Sequence, residues 1–206
     1  MKISILLITI ILATVNSCKQ NNEVENTEMN HSSPMENELM QSMNKTNTTM
    51  SNTKMKGDFD FDFANLMMMH HQMAIDMSRV EIDKGSDQTI KNMANGIAVA
   101  QEIEVREMKQ FIKNYKITAT NVETSNSTKI ATEMKSMMDK MNTIKMTDNI
   151  DKDYVAMMLP HHKSAVEMAK MQLKFGTQYE LVELSKNIIE DQNYEIDEFK
   201  KWLNKN

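Results

Sequence analysis

The chain has 206 residues, 26% of them charged, with a net charge of −5 and only 4 Gly and 2 Pro. That length fits one globular domain with extensions, and the scarcity of turn-forming residues argues for helices over sheets. An acidic balance, with no basic run and no aromatic-basic surface pattern, argues against nucleic acid as a partner.

Lys2 precedes an apolar run from Ile3 to Val15, too short to span a bilayer but the right size for the core of a secretory signal. The run ends at Val15-Asn16-Ser17-Cys18, and Cys18 is the single cysteine. This resembles a bacterial lipoprotein signal over residues 1–17, which implies that Cys18 is lipidated and anchors the mature chain to a membrane. The plainer alternative is an ordinary secretory signal with an incidental thiol. On either reading the mature protein lies outside the cytoplasm, in the periplasm or at the outer membrane, with no disulfide of its own.

Residues 18–57 are rich in Asn, Thr, Ser, Glu, Lys and Met, with almost no aliphatic side chains. Such a segment cannot bury enough apolar surface to offset the entropy of ordering, so a disordered tether is predicted. Met29, Met35, Met40, Met43, Met50, Met55 and His31 punctuate it. Two readings of them stand side by side: a Cu(I)-scavenging tail, or the drift toward methionine seen along the whole chain, which has 23.

From Asp58 onward the chain repeats itself at an offset of 91 residues without a gap. Asp60, Asp62, Met67, His70, His71, Ala74, Met77, Gly85, Ile97, Gln101 and Glu104 match Asp151, Asp153, Met158, His161, His162, Ala165, Met168, Gly176, Ile188, Gln192 and Glu195. Each copy opens with acidic residues suited to a helix start, breaks at a glycine read as helix-ending, and resumes. The predicted helices cover 59–84, 87–113, 150–174 and 178–204. Neither hairpin can bury its apolar stripe alone, so the two should dock as an all-α four-helix bundle over 58–206, with repeats at 58–113 and 149–205. The crossover, 114–148, carries Met134, Met137, Met138 and Met141 at helical spacing, a short amphipathic helix whose methionines are assigned to core packing. Pro160 should kink the helix just before His161.

At about 100° per residue, Met67, His70, His71 and Met77 share one helix face, and Met158, His161, His162 and Met168 share its echo. Four of the five histidines lie there. Bundle helices fill such a stripe with aliphatic side chains, so adjacent histidines twice over read as metal ligands rather than core residues. On the second helix of each hairpin, Gln101 and Glu104, or Gln192 and Glu195, fall on the inner face beside Ile97 and Met108, or Ile188 and Phe199. Buried carboxylates need partners. These four are therefore candidates to orient the imidazoles, the alternative being that the glutamates are solvated at a bundle end.

The segment from Asp58 to Leu203 resembles a bacterial ferritin-like family called domain of unknown function 305, with the signature M-x-P-H-H-x-x-A-x-x-M. The second copy carries it including Pro160; the first has Met69 in the proline position. The resemblance implies an extracytoplasmic bundle, copper binding and copper tolerance in some members, and ligand positions at Met67, His70, His71, Met77, Met158, His161, His162 and Met168. Donor chemistry agrees, because thioethers select Cu(I) or its mimic Ag(I), and imidazole accepts Cu(I) and Cu(II). A site without thiolate also suits an oxidising envelope. The expected partners are copper ions, a membrane through Cys18, and copper-exporting or copper-accepting envelope proteins. One rival is a di-iron ferritin-like oxidoreductase, which needs two Glu-x-x-His motifs on bundle helices, and residues 58–206 contain none. The other is a metal-free envelope adaptor. No Ser or Cys stands in a nucleophilic arrangement, and no catalytic residue is assigned.

Overall fold

A computed structural model describes residues 34–118, 121–147 and 149–206. Among these, the chain forms six helices and no strand: α1 (Pro34–Asn52), α2 (Phe59–Lys84), α3 (Gln88–Asn114), α4 (Asn121–Asn142), α5 (Ile150–Phe175) and α6 (Tyr179–Leu203). No described helix is long and apolar enough to cross a membrane. The four helices expected from the repeat fall within about a residue of their predicted limits, and α5 continues through Pro160 without interruption.

Two sets of buried aspartates tie these helices together. Asp62 accepts hydrogen bonds from the Lys56 and Gly57 amides, and its counterpart Asp153 accepts from the Thr147 amide and hydroxyl, so each long helix is locked to the chain entering it. Asp60 and Asp151 reach across instead. Asp60, at the start of α2, accepts from the Thr177 amide and hydroxyl in the α5–α6 elbow. Asp151, at the start of α5, accepts from the Ser86 and Asp87 amides in the α2–α3 elbow. Each helix start therefore meets the other's end, so α2 and α5 run antiparallel. Trp202, near the end of α6, donates from Nε1 to Asp87 at the start of α3, and α3 and α6 are antiparallel as well. The acidic residues that read as helix-start signals thus also staple one repeat to the other.

The elbow glycines end α2 and α5 as expected, but not in the usual conformation. A helix-ending glycine usually adopts a left-handed conformation, but Gly85 and Gly176 have φ of −61° and −75°. A Cβ at Gly85 would lie 2.0 Å from Glu81 Oε1, and one at Gly176 would lie 2.0 Å from Gln172 Nε2. The glycines make room for a side chain folding back from the preceding turn toward the cross-repeat aspartate.

Residues 34–57 correct the predicted tether. α1 lies antiparallel along α2, with Glu38 paired to Lys84, Lys45 Nζ 2.8 Å from Asp76 and the Thr53 hydroxyl near the Met69 sulfur. Leu39 and Met43 are fully buried, and Met40, Met50 and Met55 pack against the same core. At the offset of 91, Leu39, Met43, Met50 and Met55 correspond to Ile130, Met134, Met141 and Met146. The crossover helix is therefore the echo of α1, and the repeating unit has three helices. Its methionines, Met134, Met137, Met138 and Met141, are core residues as expected. Cys18, Met29 and His31 lie outside the described residues. With Met43 buried, Met43→Ala should destabilise the fold by about 2–4 kcal/mol, and deleting Asn21–Lys56 should lower the thermal midpoint. A midpoint unchanged by the deletion would return α1 to being a tether.

Candidate metal centre

The antiparallel crossing of α2 and α5 brings the two histidine pairs together. His70, His71, His161 and His162 are all fully buried. The rings of His70 and His161 lie with centroids 3.8 Å apart, tilted by 40°, and each has its sequence neighbour's ring about one width further out, at 6.0 and 5.7 Å. One central cluster results, spanning both repeats.

A hydrogen bond sets one tautomer, and nearby carboxylates favour two others. His161 Nε2 lies 2.8 Å from the backbone oxygen of His70. A carbonyl only accepts, so Nε2 carries the proton and the Nδ1 lone pair is free. His71 Nε2 sits 2.8 Å from Glu104 Oε2 on α3, and His162 Nε2 sits 2.7 Å from Glu195 Oε2 on α6. These are close contacts without the alignment of a hydrogen bond. A carboxylate beside Nε2 favours the proton there and again leaves Nδ1 open. Glu104 and Glu195 thus stand where imidazole-orienting groups were expected, and are only 13% and 19% exposed. His70 has no partner on either nitrogen.

Burial, followed by repulsion from neighbouring imidazoles, pushes the His70 and His161 pKa values well below the ordinary histidine range. Both are neutral at pH 7. Neutral imidazole is the form that binds a metal, so these rings are ready to act as donors without first losing protons.

Gln101 and Gln192 are buried, but neither amide has a protein partner. Together with the imidazoles they supply eleven of the seventeen unpartnered buried side-chain nitrogens and oxygens found among the described residues. Unpaired buried polar atoms cost about 1–3 kcal/mol each, and so many at one level of the bundle is the pattern of a site built for a guest.

The thioethers divide into near and far. Met67, Met77, Met158 and Met168 are all fully buried. With His70 facing His161 and Ser78 facing Tyr154, Met67 and Met158 flank the cluster one turn from the rings. Met77 lies seven residues beyond His70, about 10 Å along the helix, as does Met168 beyond His161. Among the described residues no three His, Cys, Asp or Glu side chains are arranged to hold one ion. An ion here would draw on thioether as well as imidazole, or on a movement of the rings. The donor set fits a soft cation that accepts few ligands, as Cu(I) and Ag(I) do.

Three neighbours of the cluster differ between the repeats: Phe199, which its spacing places on the inner face of α6, and Tyr154 and Ser78, which spacing does not single out. Phe199 packs its ring 5.7 Å from that of His162, Tyr154 lies 6.0 Å beyond, and the Tyr154 hydroxyl meets Ser78 at 2.8 Å. Their counterparts Met108, Phe63 and Ala169 differ, so a pattern of matched positions passes over them.

Two proteins of known structure share this architecture, and one further relative matches in sequence over a short stretch. CopM has been solved in apo, silver-bound, Cu(I)-bound and Cu(II)-bound forms. Its Cu(I)-bound form is similar with a TM-score of 0.53 and 30% identity, over 71% of this chain and 96% of CopM. A secreted protein of Streptomyces coelicolor has the same fold at a TM-score of 0.59 and 24% identity, over 73% of this chain and 95% of its own. An uncharacterized protein of Acanthamoeba polyphaga mimivirus is 34% identical over 58 residues, which make up 28% of this chain and 38% of that relative. The profile of the domain of unknown function DUF305 matches residues 8–112 and 60–203, and the chain belongs to that family.

Proposed function

We propose that this protein binds copper, as Cu(I) or Cu(II), and Ag(I) in its place, at the crossing of α2 and α5. The observation that carries the reading is the buried cluster of four imidazoles, two of them faced by carboxylates and none with both ring nitrogens partnered. Similarity to CopM, whose structures hold Cu(I), Cu(II) and silver, supports the choice of metal. His70, His71, His161 and His162 are the primary donors, with Met67 and Met158 one turn away and Met77 and Met168 as outer thioethers. Glu104 and Glu195 hold the imidazoles in place. Lipidation at Cys18 would keep the protein in the cell envelope, where its role is copper tolerance or homeostasis, receiving or passing copper with exporting or accepting envelope proteins.

The di-iron alternative calls for carboxylates that bridge two ions; here Glu104 and Glu195 each face their own imidazole. Replacing all four histidines with Gln is the direct test. The folded variant should lose its tight Cu(I) component and all Cu(II) binding, a fall of about 100-fold or more in affinity. A weaker component carried by thioethers, insensitive to pH, should persist. A folded variant that binds both oxidation states as the parent does would overturn the assignment.

A further inference from the structure

The imidazoles are sealed from solvent, so an ion needs a way in, and the outer layer of the bundle contains a polar seam. α3 and α6 run antiparallel on one side of α2 and α5. A register with Asp87 against Trp202, and with residues 103–115 across from 178–184, sets Ala100 and Asp191, which correspond at the offset of 91, close to the local two-fold. Gln101 and Gln192 are the next residues along each helix, within about a turn of each other across the seam and buried without partners. Glu104 and Glu195 lie one turn away on either side, their oxygens against His71 and His162 and their remaining surface open to solvent.

Two further observations converge on this seam. Burial, then repulsion by Glu104, Glu195 and Glu190, raises the Asp191 pKa, so the carboxylates of both helices act at one place. The seam is also open on one side of the two-fold. Where α6 closes with Trp202 donating to Asp87, the equivalent positions are Phe111 and Gln178, and a groove of about 820 Å³ runs between the helices past Ile103, Arg106, Glu107 and Glu180.

We infer that the α3–α6 seam is the route by which the cation reaches the imidazoles, with Asp191, Glu104 and Glu195 forming an acidic mouth and the amides of Gln101 and Gln192 lining the passage behind it. This rests on the proposed copper site. The mouth concentrates cations by charge, and the amides replace part of the water an ion sheds before it meets an imidazole. Glu104 and Glu195 serve both steps, since one side faces solvent and the other holds the ring.

Asp191 touches no histidine, so it separates passage from binding. In rapid mixing of the full chain with Ag(I) in nitrate buffer of low ionic strength, Asp191→Asn should slow uptake about two- to fourfold. Ala100→Asp, which gives the first repeat the second's carboxylate, should speed it by a similar factor. Both effects should fade in about 0.5 M salt as screening shortens the reach of the charges. The number of ions bound at equilibrium should be that of the parent, and Asp139→Asn on α4 should leave the rate alone. Parent rates in both seam variants, or an equal effect from Asp139→Asn, would overturn the route and leave the site intact. A parent that takes up no Ag(I) would overturn both.

Discussion

Metal-free protein is expected to lose stability as pH falls below about 6.5. His70 and His161 have pKa values well below the ordinary histidine value in the fold, chiefly from burial, whereas the unfolded chain titrates near 6.5. Below that pH the unfolded state takes up protons that the native state refuses, so each fall in pH favours unfolding. One proton per ring is worth about 1.4 kcal/mol per pH unit, and the pair about 2.7 kcal/mol per pH unit. Glu81, whose raised pKa acts in the opposite sense over this range, offsets about half of it in the parent, so urea melts at pH 7, 6 and 5 in a Glu81→Gln background measure the histidine slope directly. Replacing both rings by Leu in that background should remove most of the slope, and bound copper should oppose it by holding the rings neutral. A curve flat between pH 7 and 5 in that background would mean that the rings accept protons in place and are not sealed as the structure has them.

Glu81→Gln should stabilise the protein, most of all on the alkaline side. Glu81 is buried, and burial with the adjacent Asp151 pushes its pKa up to about 9. At neutral pH it is a protonated carboxyl facing a carboxylate. Its counterpart, Gln172, makes the equivalent contact with Asp60 through an amide, at 2.5 Å. An acid whose folded pKa is raised contributes stability fully below its unfolded value, near 4.5, and loses it as pH rises toward 9. In the parent this loss amounts to about 3 kcal/mol by pH 7. An amide at position 81 can donate to Asp151 at any pH, so the variant should show no such decline between pH 5 and 9. A variant less stable than the parent at pH 9 would show that the carboxyl has a partnership the amide cannot reproduce. With both effects present, the parent should be most stable near pH 6.5, where the histidine slope ends and that of Glu81 continues.

The two long hairpins were legible because apolar spacing at 3.6 residues, capping residues and elbow glycines are local signals, and the gap-free repeat stated each one twice. α1 was not, for an equally local reason. Its inward face is mostly methionine, with Leu39 as the one aliphatic residue in a run of Asn, Thr and Lys, and methionine in polar surroundings has no visible purpose until a groove exists to receive it. Once α2 and α5 supply that groove, Met43 is buried as deeply as any leucine would be.

For the site, the sequence alone determined the candidate donors, two adjacent histidine pairs and their flanking thioethers, and beside them a glutamate on the facing helix of each hairpin. Those follow from side-chain chemistry and helical period, which are properties of single segments. Only the tertiary structure decided that the pairs form one cluster and not two. That outcome depends on where α2 crosses α5, and the crossing is set by Asp60 and Asp151, each capping the opposite repeat's elbow. The same is true of the pairing of His71 with Glu104, the tautomer of His161 held by the His70 carbonyl, and the raised pKa of Glu81. Each is a contact between residues more than thirty positions apart or a consequence of burial, and no periodicity along one helix encodes the register between two.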